Sequence, residues 1–198
     1  MVERQLRRRG IDDERVLEAM ATVPRERFLP EDQRRRAYRD GAVRIGEGQT
    51  MSQPWIVACM AQLLELQGAE TVLEVGTGSG YAAAVLSRLC RAVVTIERYE
   101  QLAVQAEQAL HELGYDNVVV GVGDGSLGAP ERAPFGGISV TATARDQPPP
   151  ALFEQLAPGA ALVCPVERGG RELLIRFRDG QEEAVTGVRF VPLVTGEP

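Results

Sequence analysis

Apolar residues recur first at helical spacing and then in short runs broken by turns. Val16, Leu17, Met20 and Val23 form a helical stripe behind the acidic first turn Asp12-Asp13-Glu14. Pro24 and Pro30 interrupt it, and a further helix is expected over 32–40, ended by Gly41. The polar stretch GEGQTMSQPW (46–55) carries no charge after Glu47 and runs into an apolar helix over 54–66. That helix has Pro54 at its first position and Gly68 just past its end. From there strands and helices alternate. TVLEV (71–75) reads as a strand, GTGSG as a turn, YAAAVLSRLC (81–90) as a small-residue helix and AVVTIE (92–97) as a second strand. In the helix over 99–114, Leu102, Ala106, Leu110 and Leu113 share a face and Gly114 is the stop. NVVVGVGD (117–124) and GGISVTA (136–142) are the third and fourth strands. PPPALFEQLAPG (148–159) is a helix closed by Gly159, and AALVCPV (160–166) is a fifth strand. Residues 172–193 read as two strands around an Asp179-Gly180 hairpin turn. The alternation predicts an α/β fold with a mostly parallel sheet covered on both faces, to which the terminal hairpin adds antiparallel strands. The expected organisation is one domain, with a helical cap over 1–45 and an α/β body over 46–198.

Composition adds limits. With 198 residues, 44% apolar, the chain can bury a real core. A net charge of −6 argues against non-specific binding to a phosphate backbone. Lysine is absent, and the arginines, including the runs Arg7–Arg9 and Arg34–Arg36, read mostly as solvated surface between acids. Cys59, Cys90 and Cys164 lie far apart in apolar settings with no metal-ligand spacing, so buried free thiols in a reducing compartment are expected. No apolar run suits a secretory signal or a membrane span, which points to a cytoplasmic protein.

The candidate chemistry sits at strand ends. Ligands of parallel α/β sheets bind at the carboxyl ends of the strands, and LEVGTGSGYAA supplies such an end. Gly76, Gly78 and Gly80 clear side chains from the turn. Their GxGxG spacing puts Tyr81 where a dinucleotide fingerprint wants its last glycine, so the loop suits a cofactor with an amino-acid tail and no phosphate. Glu97 ends the second strand, 21 positions after Gly76, where a carboxylate can accept from ribose hydroxyls. Asp124, followed by Gly125, ends the third strand and can accept from an adenine amino group. Either acid alone would more often be a helix cap or a loop residue. Glu74, inside the first strand, either orders the loop or faces the cofactor's amino group.

These residues resemble the first motif, and its successors, of the class I S-adenosylmethionine-dependent methyltransferases. GQTMSQPWIVACM is similar to a segment of the protein-L-isoaspartate O-methyltransferase family. So are RVLEAMATVPRERFLPE, AYRDGAVRIG, GDGSLGAPERAPF, PPALFEQLAPGAALVCPV and VRFVPLV, across about 1–195. The resemblance implies a Rossmann-like methyltransferase sheet and S-adenosyl-L-methionine as cofactor, with S-adenosyl-L-homocysteine as product. It also implies isoaspartyl peptides or proteins as substrate, with no nucleic acid or membrane partner. Family members esterify the α-carboxylate of an isoaspartyl residue, and the ester closes to a succinimide that hydrolyses partly to aspartate. A peptide carboxylate, with a pKa near ~4, is already a nucleophile at neutral pH. No strong base is needed, and the one histidine, His111, reads as helix surface. By resemblance Ser52 is the active-site serine, orienting the acceptor carboxylate, with Gln49 and Thr50 along the cofactor. Its position before Pro54 also fits a helix N-cap.

The chain departs from the family where Gly136 replaces a usual aspartate, in the longer loop TATARDQPPPAL with Arg145 and Asp146, and at Glu167, where a glycine is usual. These departures are expected near the acceptor side. They keep two alternatives open: a carboxyl methyltransferase for one dedicated aspartyl peptide, and an inactive cofactor-binding homologue. A nicotinamide dehydrogenase is disfavoured by the glycine spacing.

Overall fold

A computed structural model describes residues 1–196. The N-terminal part is helical in short pieces. Val2–Leu6 form a wide π turn and Arg7–Arg9 a 3₁₀ turn, α1 spans Glu14–Thr22, and further 3₁₀ turns cover Arg25–Phe28 and Glu31–Arg36. Asp13 caps α1 by accepting from the N–H groups of Arg15 and Val16. The helix expected over 32–40 is thus only the last of those turns. The polar stretch that begins at Gly46 opens as the turn and second strand of a small antiparallel hairpin, β1 (Val43–Gly46) and β2 (Gln49–Met51). Val43, Ile45 and Met51 are buried, which pins the hairpin to the core.

α2 (Pro54–Leu63) then leads to the main sheet. Its elements are β3 (Thr71–Val75), α3 (Tyr81–Ser87), β4 (Ala92–Glu97), α4 (Glu100–Glu112), β5 (Val118–Val122), β6 (Phe135–Val140), β7 (Ala144–Arg145), α5 (Pro150–Glu154), β8 (Leu156–Arg168), β9 (Arg171–Arg178) and β10 (Gln181–Gly187). The strand order is β10-β9-β8-β6-β3-β4-β5, with the short β7 beside β8. β3, β4, β5, β6 and β8 run parallel, and β9 and β10 are antiparallel additions, as the terminal hairpin predicted. The helix expected over 148–159 stops after one turn and a half. Its second half belongs instead to the 13-residue β8, whose later residues pair with β6 and β9.

Alternation along the strands builds a core on each face. Val72, Val93, Val163 and Leu174 pack with α1, α2, α3 and the N-terminal turns. Leu73, Val75, Ile138, Leu162 and Cys164 pack with Leu152 of α5. The N-terminal turns share the first of these cores. Not every arginine is solvated surface. Arg15 donates to the carbonyls of Leu66 and Leu89 (2.7 Å each), tying down the ends of two helices, and Arg25 is fully buried. The three cysteines are free and buried, and burial pushes their thiols up to about 11–12. No helix among the described residues is long and apolar enough to cross a membrane.

Candidate active site

The chain leaves β3 for β4 and β5 on one side and returns to β6 on the other. The carboxyl ends of β3 and β6 therefore face a gap that no crossover fills. A cavity of about 860 Å³ opens there. Its walls are the hairpin and the start of α2, the glycine loop after β3, the end of β4, the loop after β6 and the extended segment after β10.

The glycine loop is built for close approach. Gly76 has φ +95°, and a Cβ there would collide with Thr141 Oγ1. Thr141 in turn donates to the carbonyls of Val75 (3.0 Å) and Gly76 (2.7 Å), joining the ends of β3 and β6 across the switch point. Glu97 is 5% exposed and holds the loop from the other side. Its Oε2 accepts from Gly78 N (2.8 Å) and its Oε1 from Tyr99 N (3.0 Å). The loop and the carboxylate are thereby one rigid unit, and each carboxylate oxygen retains a lone pair for a ligand hydroxyl.

Of the residues expected in the site, Gln49, Thr50, Ser52, Gly76, Gly78, Glu97 and Gly125 line the cavity. Three do not. Glu74 points into the sheet, because strand alternation aims it at its β4 neighbour Thr95 rather than at the strand end. Thr95 Oγ1 donates to Glu74 Oε2 (2.6 Å) and lies 2.7 Å from Thr77 Oγ1, so Glu74 orders the loop through two hydroxyls. Complete burial pushes its carboxyl up to about 8. The Thr95 bond opposes that shift and the charge of Glu97 adds to it. Gly80 sits at the start of α3 against Ala106 and Leu110, where a side chain would strike α4. Asp124 stands at the rim and accepts from Ser126 N (2.9 Å) and Gly196 N (2.6 Å). Burial would raise its carboxyl, but these bonds and Arg98 outweigh burial and hold it below the ordinary range. Its neighbour Gly125 lines the cavity, pressed so close to Val75 that a Cβ would lie 2.5 Å from Cγ1.

Ser52 is half-buried at the cavity wall. It does not cap α2: the N-cap residue is Gln53, no side chain caps the helix, and Pro54 removes one donor that would need a cap. Its hydroxyl has no hydrogen-bond partner among the described residues. Its carbonyl accepts from Arg25 Nη2 (2.6 Å).

The departures lie elsewhere than expected. Gly136 is at the amino end of β6, next to Glu70, the opposite end of the sheet from the cavity. A Cβ there would lie 2.5 Å from Glu70 Cγ, so the Glu70 side chain fills the space an aspartate would need. Arg145 and Asp146 belong to β7 and its turn, away from the cavity; only Thr141 and Ala142 of that loop line it. Glu167 Oε1 accepts from Gly170 N (2.7 Å) and shapes the β8–β9 turn. The observation that motivated an inactive homologue is therefore removed from the site.

Thr141 and Glu172 line the cavity without a signal in the sequence, the segment 188–194 is marked there only by resemblance and not as part of the site, and the buried Arg25 stands behind the wall at Ser52. Glu172 Oε2 accepts from Thr143 Oγ1 (3.1 Å) and Phe190 N (3.0 Å), which lays that segment along the cavity beside Thr143. The run VRFVPL read as strand, and only the structure shows it as an extended wall.

A glycine loop held by a strand-end carboxylate, at the switch point of a sheet extended by an antiparallel hairpin, fits a class I S-adenosylmethionine-dependent methyltransferase, and solved methyltransferases share the fold. The family model described as "Protein-L-isoaspartate(D-aspartate) O-methyltransferase (PCMT)" matches residues 1–198, and the chain belongs to that family. Protein-L-isoaspartate O-methyltransferase 2 of Anaeromyxobacter sp. (strain Fw109-5) is 52% identical over 99% of this chain and 82% of its own length. Its namesake from Marinobacter nauticus is 54% identical over 100% of this chain and 92% of its own. A solved protein-L-isoaspartate O-methyltransferase superposes with a TM-score of 0.84 at 30% identity, over 97% of this chain and 65% of that one. A Plasmodium falciparum protein described as a beta-aspartate methyltransferase, in complex with S-adenosyl-L-homocysteine, superposes with a TM-score of 0.85 at 25% identity. That match covers 98% of this chain and 97% of the other.

Proposed function

We propose that the cavity holds S-adenosyl-L-methionine between the glycine loop and Glu97, and presents its methyl to an isoaspartyl carboxylate oriented by Ser52. The enzyme methylates the α-carboxylate of L-isoaspartyl residues, the first step in converting them through a succinimide. The residues fit the cofactor. Gly76 and Gly78, both at positive φ, turn the loop so that its backbone borders the cavity beside an amino-acid tail, Glu97 offers acceptors to ribose hydroxyls, and Gly125, packed against Val75, forms the wall beside Asp124 that a flat base would face. When bound, it supplies an electrophilic methyl on a sulfonium sulfur.

The acceptor arrives ionised, since a free α-carboxyl has a pKa of roughly 3.3–3.7, so the site needs no general base. His111 is exposed in the last turn of α4 and lines no part of the cavity. What the chain must supply is position. The Ser52 hydroxyl donates to one carboxylate oxygen and leaves the other free to attack along the line of the bond being broken. The half-apolar wall of Ile56, Val57, Val75, Ile96 and Leu193 excludes water from a reaction in which opposite charges cancel. The observation that carries this reading is a cavity-facing serine whose hydroxyl neither caps a helix nor binds another of the described residues.

The test is Ser52→Ala. A lost hydrogen bond to a charged group is expected to cut kcat about 10- to 100-fold. The affinity for S-adenosyl-L-homocysteine, measured by calorimetry, should stay unchanged. Equal losses in both would make the serine scaffold rather than an acceptor-orienting group.

A further inference from the structure

Arg25 is a cation in an expensive place. It is 0% exposed and pairs with no carboxylate among the described residues. Burying a guanidinium costs several kcal/mol, and where only packing is needed an apolar side chain of similar volume serves as well or better. What an apolar side chain cannot do is grip several groups in one plane. Nε donates to the Ala37 carbonyl (2.7 Å) and Nη2 to the Ser52 carbonyl (2.6 Å), while the guanidinium carbon lies 4.6 Å from the centre of the Tyr81 ring. Those three contacts belong to three parts of the molecule. Ala37 ends the N-terminal turns, Ser52 leads into α2, and Tyr81 opens α3 at the glycine loop and lines the cavity. Arg25 itself does not line the cavity.

We propose that Arg25 is a positioning residue for methyl transfer: by holding the Ser52 peptide against Tyr81 it fixes where the serine hydroxyl stands relative to the cofactor loop. The proposal rests on the acceptor-orienting reading of Ser52. A donor on the Ser52 carbonyl sets the rotation of the very residue whose hydroxyl has no partner among the described residues, and the ring below sets the depth of that segment in the cavity. Loss of this register by about an ångström can cost on the order of 100-fold in rate without touching the bound cofactor.

The experiment is a double-mutant cycle on the full chain, using an isoaspartyl peptide and S-adenosyl-L-methionine. Arg25→Met keeps the volume and removes the donors; Arg25→Lys keeps the charge and loses the planar fork. Each is expected to lower kcat about 10- to 100-fold, with the dissociation constant of S-adenosyl-L-homocysteine held within about 2-fold. In a Ser52→Ala background the same substitutions should cost less than about 2-fold more, because their effect runs through the serine. A kcat loss of the same size in both backgrounds overturns the proposal, as does a parallel loss of kcat and cofactor affinity. Loss of the cooperative thermal transition in both variants also overturns it, by making Arg25 a folding residue. Failure of the serine reading is seen separately, as an unchanged kcat for Ser52→Ala alone.

Discussion

Replacing Glu74 by glutamine should remove a pH dependence of stability that this one carboxyl confers. The group is fully buried, accepts from Thr95 through Oε2, and has no partner at Oε1. Burial, opposed by the Thr95 bond and reinforced by the charge of Glu97, raises it from the ordinary 4.5 to about 8. Below 4.5 it is protonated in both the folded and the unfolded chain and has no net effect. Between 4.5 and about 8 the unfolded chain releases the proton and the folded one keeps it. The folded state then binds more protons, so stability falls as pH rises, by ~1.4 kcal/mol per pH unit. Above about 8 the loss is complete. Between pH 5.5 and 7.5 this amounts to roughly 3 kcal/mol, or on the order of 5–10 °C in Tm for a domain of this size. Glutamine stays neutral at every pH, so the pH dependence that separates the two proteins is that of Glu74 and its coupling to Glu97. The assay is thermal unfolding of the native protein and of Glu74→Gln across that range. The difference in Tm between them should shift steadily in favour of the variant as pH rises. A pH-independent difference would mean that Glu74 is ionised in the fold, and the hydroxyl chain to the glycine loop would need a different origin.

Two further outcomes follow from the site. Glu97→Ala removes the acceptor of Gly78 N and the proposed ribose contact together, so S-adenosyl-L-homocysteine should bind about 10- to 100-fold more weakly by calorimetry; an unchanged dissociation constant removes Glu97 from the cofactor. Gly136→Asp restores the family's usual residue, but its Cβ would lie 2.5 Å from Glu70 Cγ. It should lower stability by ~1–3 kcal/mol while leaving the activity of the folded protein alone, and a rise in kcat would return Gly136 to the acceptor side.

The strand–helix alternation carried most of the fold because a parallel sheet buried on both faces must write its strands as short apolar runs. Where the reading went wrong, local preference yielded to pairing. ALFEQLA within PPPALFEQLAPG is made of residues a helix accepts, yet the second half of the stretch extends β8, whose later residues pair with strands on both sides. GEGQTMSQPW shows no apolar alternation, yet its first six residues complete a hairpin with the preceding strand, pinned by buried Val43, Ile45 and Met51. In the site, glycine spacing and acidic strand ends located the loop and Glu97. Of the two roles the sequence left open for Glu74, the structure shows the ordering of the loop, while Gly80 and Asp124 do not line the cavity, since spacing alone cannot tell a residue that lines a site from one that braces it. Arg25 was invisible for the same reason: twenty-two arginines look alike in a string, and burial distinguishes this one.

The proposed reaction turns on its acceptor, an isoaspartyl carboxylate beside Ser52. Methyl transfer from labelled S-adenosyl-L-methionine to two peptides that differ only in one isoaspartyl or aspartyl linkage tests it most directly. Rapid esterification of the isoaspartyl peptide with background labelling of its aspartyl twin is the expected result. Equal labelling of the two, or none of either by protein that binds S-adenosyl-L-homocysteine, would contradict it.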